Sequence, residues 1–98
     1  MYSVYILYSE LLDQYYIGQS IDIKNRIKEH NTGKYNHSFT KRTSDWQLFF
    51  SIPCLNRSIA IRIENHIKNM HSRLYIENLK KHPKISEKLI AKYSNEKF

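Results

Sequence analysis

Two tyrosines in short β-rich runs are the first candidates for chemistry in this sequence: Tyr5 in "SVYIL" and Tyr16 in "QYYIGQ". If these runs pair as a hairpin, both phenols can project from one face toward a shared point. Gly18 follows Tyr16 by two, so its missing side chain lies on that face and lets another backbone, or a substrate phosphate, approach closely. Arg26 and His30 are four apart and stack on one side of a helix, close to but distinct from the Ile23/Ile27 side expected to pack inward. Together they offer a phosphodiester a fixed cation with forked donors and a titratable ring. Each feature also has a plain structural explanation, as ordinary strand tyrosines and as a solvated helix face.

Glu64 lies in "SIAIRIENHIKNM", beside the apolar stripe and near Ala60 and Ile61 on a helix. A carboxylate on that border needs a partner. One option is Lys68, four residues on, in an exposed pair worth about 0.3–0.5 kcal/mol. The other is a hard divalent cation such as Mg²⁺, which takes one or two carboxylates and completes its shell with water and phosphate. His66 and His71 are five apart and no H-E-x-x-H or cysteine pair occurs, which speaks against zinc. No P-loop or dinucleotide glycine pattern points to a small-molecule cofactor.

The elements that must position these residues follow from the apolar spacing. "YSVYILYS" alternates Val4, Ile6 and Tyr8 with Tyr5 and Leu7 and predicts a strand over Tyr2–Tyr8, with Gln14–Gln19 antiparallel to it after the short connection "SELLD". Ser20 or Asp22 can cap a helix over 21–31 that Gly33 ends. Residues 32–45 read as a polar, mobile loop leading to a third strand from about Trp46 to Ile52. Ala60, Ile63, Ile67, Met70 and Leu74 recur at helical steps and predict a long helix over 58–71. One or two short helices broken near Pro83 follow. The order β-β-α-β-α-α predicts an α+β domain, a small antiparallel sheet flanked by helices.

Ninety-eight residues hold one domain with one modest core, and 41% apolar residues with eight tyrosines suit a folded chain. The formal charge of +7 favours an anionic partner, with nucleic acid foremost. Lys24, Arg26, Lys28, Lys34, Lys41 and Arg42 stand against the single acid Glu29 over residues 24–42. Lys34, Lys41 and Arg42, in or beside the loop, are candidates for DNA backbone contacts, with Lys80, Lys81 and Lys84 as the alternative surface. The single cysteine, Cys54, excludes an internal disulfide. No stretch approaches the roughly 20 apolar residues of a membrane span, and "MYSVYILYSE" has no basic start of a secretory signal, so a cytoplasmic place is expected.

In combination these residues resemble the GIY-YIG endonuclease superfamily. The second signature triplet stands intact as Tyr16-Ile17-Gly18, and the first is Ser3-Val4-Tyr5, with serine in place of glycine. "DIKNRIKEHNTGK" is similar to the family's following helix at Arg26 and His30, and "NRSIAIRIENHIK" to the helix with its metal-binding glutamate, at Glu64. The resemblance covers about residues 2–71 and is closest to small single-domain bacterial members related to the nuclease domain of flap and junction endonucleases. Residues 72–98 are then a basic C-terminal helical extension.

The resemblance implies a three-stranded antiparallel sheet flanked by helices and phosphodiester hydrolysis that depends on one Mg²⁺ or Mn²⁺ at Glu64. Arg26 would add positive charge at the transition state, and Tyr5 or Tyr16 would activate or orient the attacking water with help from His30. Gly18 and Gln19 would lie at the substrate; Gln19 stands where some members place a lysine and can donate a hydrogen bond but not a charge. The expected function is a DNA endonuclease of low sequence specificity, favouring branched or damaged DNA and serving repair or recombination. The alternative is a nucleic-acid-binding domain of the same fold that cleaves weakly or not at all.

Overall fold

The computed structural model describes residues 1–33 and 40–94. Three strands, β1 (Tyr2–Ser9), β2 (Gln14–Ser20) and β3 (Gln47–Cys54), form an antiparallel sheet in the order β2-β1-β3. The helices are α1 (Ile23–Thr32), α2 (Arg57–Met70), α3 (Arg73–Lys81) and α4 (Pro83–Ser94), with a 3-10 turn at Thr40–Arg42. The expected α+β class and antiparallel sheet are therefore present.

Local chemistry explains the boundaries. Asp22 caps α1 by accepting the Asn25 amide at 3.1 Å, and Gly33 closes it with φ 75°, a left-handed conformation that favours glycine. Asn56 and Ser72 cap α2 and α3 in the same way. Pro83 opens α4, where its missing N–H costs nothing, so two helices follow α2 and the break falls where proline put it. Strand β3 extends past the expected Ile52 to include Pro53, which an edge strand tolerates because one side of its ladder is unpaired.

The two faces of the sheet are covered differently. Val4, Ile6, Ile52 and Cys54 pack against Ile59, Ala60, Ile63 and Ile67 of α2, with Ile76, Leu79 and Leu89 behind them. Burying such aliphatic side chains stabilises by roughly 1.5–3 kcal/mol each, so this face anchors the fold. Tyr5, Leu7, Trp46, His30 and Thr40 are buried outside that cluster. The residues matched to β1 on this second side come from α1 and the segment before β3.

That segment corrects the expected mobile loop. Among the described residues of 32–45, Thr40 is fully buried and its carbonyl accepts Trp46 Nε1 at 3.0 Å. Asp45 accepts from Ser9 Oγ and Thr43 Oγ1, both at 2.6 Å, and from the Leu11 amide at 3.0 Å. These bonds tie the start of β3 to the β1–β2 turn. The Ser9 hydroxyl, then Thr43 and the Leu11 amide, hold the Asp45 carboxyl down at about 2.

A carboxyl depressed on folding contributes stability above its unfolded value and loses it as pH falls through the folded one. Asp45→Asn is therefore expected to lower Tm at neutral pH, with the gap to wild type closing as pH falls from 3.8 toward about 2. Thermal unfolding across that range checks it; a gap independent of pH would remove the ionised carboxylate from the account.

Candidate active site

Register brings the sequence candidates together. Tyr5 pairs with Gly18 across β1 and β2, and Leu7 pairs with Tyr16, so Tyr5 and Tyr16 are diagonal neighbours on one face. Their rings meet edge to face, with centroids 6.3 Å apart and planes at 84°. The Tyr5 ring lies over Gly18. A Cβ at that position would stand 2.6 Å from Tyr5 Oη and 2.7 Å from Cζ, closer than real contacts allow. Glycine is required here by that close approach.

His30 reaches the same point from α1. Tyr5 Oη and His30 Nε2 share a hydrogen bond of 3.1 Å, and both residues are 1% exposed. The Tyr16 ring lies 4.9 Å from the imidazole and 6.4 Å from the Trp46 ring. Tyr16 is half-buried and stands at the mouth of the cluster.

Here the expected packing of α1 is corrected. Ile23 and Ile27 were the inward side of the helix; both are half-buried, and His30 is the buried residue. The helix docks through polar contacts. Asn31, next in sequence, donates through Nδ2 to the Trp46 carbonyl at 2.9 Å and accepts the Trp46 amide at Oδ1 at 2.8 Å. Asn31 and Trp46 were not among the sequence candidates. A lone tryptophan after a polar stretch was their one available signal, and nothing in "EHN" separates Asn31 from a surface asparagine.

The other described candidates are spread more widely. Arg26, one turn before His30, is 3.6 Å from Glu29 and half-buried. Gln19 pairs with Val4, so the alternation of the strand turns it to the α2 side, away from Tyr16 and Gly18. Its Oε1 is shielded and has no hydrogen-bond partner among the described residues. Lys41 and Arg42 are exposed on the 3-10 turn. Lys34 lies outside the described residues.

Glu64 projects from the flank of α2. Helical spacing aligns Arg57, Ile61, Glu64 and Lys68 along one stripe. Lys68, at the far end of the stripe, lines a cavity of about 360 Å³ with Gln14, Tyr15 and Ile17 of β2. The Glu64 side chain is 15% exposed and its Oε2 accepts from Lys68 Nζ at 2.6 Å. Lys68 is thus in contact with it, as the four-residue spacing allowed.

The packing of Tyr5 on Gly18 carries a direct test. Gly18→Ala is expected to displace the buried ring, costing about 1–3 kcal/mol as overpacking does. Urea unfolding measures the loss, and the His30 ring NMR signals should shift with it. A neutral substitution with unchanged His30 signals would show that the ring has room to move.

Comparison with curated proteins and with solved structures finds no match. The family model of the GIY-YIG catalytic domain matches residues 1–81, which includes all three strands and α1 to α3. The match ends before α4, although α4 joins the core through Leu89 and bonds to α2 through Tyr93 Oη and His66 Nδ1 at 2.8 Å. With the tyrosine, glycine and histidine cluster in place and most of the chain matched, this protein belongs to the GIY-YIG superfamily and carries its nuclease-type function.

Proposed function

We propose that the protein is a divalent-metal-dependent endonuclease that hydrolyses DNA phosphodiester bonds with little sequence specificity and a preference for branched DNA. The observation that carries this reading is the Tyr5–His30 hydrogen bond beneath the mouth formed by Tyr16. A free phenol titrates near 10 and is a poor base at neutral pH. A phenol bonded to imidazole nitrogen need not ionise first. As its oxygen accepts a proton from the attacking water, its own proton passes to His30 Nε2. The water oxygen forms the new bond to phosphorus, the bond to the leaving oxygen breaks, and that oxygen takes a proton from solvent. Tyr16, the more exposed of the two phenols, orients the water, and Arg26 places positive charge against the phosphate.

Glu64 is the residue that would hold Mg²⁺ or Mn²⁺, and its chemistry fits: a hard carboxylate donor on α2 that keeps some exposure and already pairs with a cation. Such a cation, when bound, supplies charge neutralisation at the scissile phosphate. Gln19 lies near the end of β2 but faces the α2 side, so it takes no part in the substrate contacts proposed at Tyr16 and Gly18. The preference for branched DNA rests on the resemblance to flap and junction endonucleases. The 98-residue chain is taken as one nuclease domain with a basic C-terminal extension.

The second reading is a DNA-binding domain with little cleavage, and the Lys68–Glu64 pair favours it, because the carboxylate already has a cation. Wild type and Glu64→Ala, incubated with flap, junction, duplex and single-stranded DNA, separate the two. Cleavage is expected with Mg²⁺ or Mn²⁺, absent with chelator, and lower in the variant by more than the roughly 10–100-fold typical of losing an outer partner of a metal site. DNA affinity should stay near wild type, since phosphate contacts dominate it. Equal, chelator-insensitive background in both proteins would leave the binding domain.

A further inference from the structure

Helices α1 and α2 leave the sheet at the same end. Strand β2 finishes at Ser20, paired with Ser3, and β3 finishes at Cys54, paired with Tyr2. Ile23 and Arg57 each begin a helix three residues later. The early turns of these helices carry Lys24 and Arg26 on α1 and Arg57 and Arg62 on α2, with no acid in either first turn. Arg57, Ser58, Ile61 and Arg62 line a surface groove of about 360 Å³. Asp22 lies at this end too, but its carboxylate accepts the Asn25 amide as the α1 cap.

At the hairpin end the bases are matched by acids. Glu10 is exposed in the β1–β2 turn, Asp13 beside it pairs with Arg73, and Asp45 stays ionised down to about pH 2. Lys41 and Arg42 sit on the 3-10 turn, four and three residues before Asp45. Opposed charges at short range cancel much of what a phosphate would feel from either lysine or arginine.

We infer that the DNA backbone is held at the end of the sheet from which α1 and α2 start, by Lys24, Arg57 and Arg62 beside Arg26, and not by Lys41 and Arg42 at the hairpin end. This deepens the nuclease reading and rests on it for the identity of the partner. Geometry supports the placement, because Gly18, beneath the Tyr5 ring, precedes the end of β2 by two residues, about 7 Å along a strand. Phosphates lying on Arg57 and Lys24 therefore flank the residues proposed for chemistry.

The test uses the full chain, a labelled duplex and chelator, with binding followed by fluorescence anisotropy over a salt series. Lys24→Ala/Arg57→Ala/Arg62→Ala is expected to reduce the slope of log K against log salt by about 2–3, and Arg57→Gln alone by about 1. Lys41→Ala/Arg42→Ala should leave the slope unchanged. Matched circular dichroism and Tm exclude unfolding, and the single variant carries the test if the triple one is impaired. A flattened slope in the Lys41/Arg42 variant with an unchanged one in Arg57→Gln overturns the inference alone. Absence of salt-dependent binding in wild type overturns the nuclease reading and this one with it.

Discussion

The Tyr5 ring can reach His30 because nothing but hydrogen stands on Gly18 beneath it. That contact is the constraint on which the second face of the sheet depends. It sets the depth of α1, whose one buried residue is the histidine itself. The double hydrogen bond from Asn31 to Trp46 then joins α1 to the start of β3, and Trp46 closes the wall beside Tyr16. Polar bonds are short-ranged and directional, so a helix docked this way has less freedom to slide than one resting on an apolar stripe.

Stability comes mainly from the other face. Val4, Ile6 and Ile52 against Ile63 and Ile67 form an apolar interior that makes no demand on the chemistry of Tyr5 or His30. Two faces with separate tasks let a 98-residue chain bury a polar cluster without giving up its core. Glu64 belongs to neither interior. It stands on the flank of α2, where its partly exposed carboxylate can exchange Lys68 for another cation.

The sequence made much of this legible. Period-two alternation put Tyr5 apart from Val4 and Ile6, the short "SELLD" connection required a hairpin, and the spacing of Ile63 and Ile67 described α2. The same logic failed on α1, because a four-residue apolar repeat at Ile23 and Ile27 outweighed a histidine whose burial depends on a tyrosine 25 residues away. Alternation also sends Gln19 to the α2 side, a consequence of adjacency to Gly18 that the triplet resemblance obscured. The Asn31 clamp and the Asp45 network join residues 15 and 36 positions apart, and no local pattern encodes them.

The central claim is that Tyr5 and His30 act as one unit. A double-mutant cycle on metal-dependent DNA cleavage measures this directly, using Tyr5→Phe, His30→Ala and the pair, with folding verified for each. Residues of one relay are strongly non-additive. The account predicts that the double variant loses no more kcat/KM than the worse single variant. Losses that multiply in the double variant would contradict it and leave Tyr5 and His30 as independent neighbours.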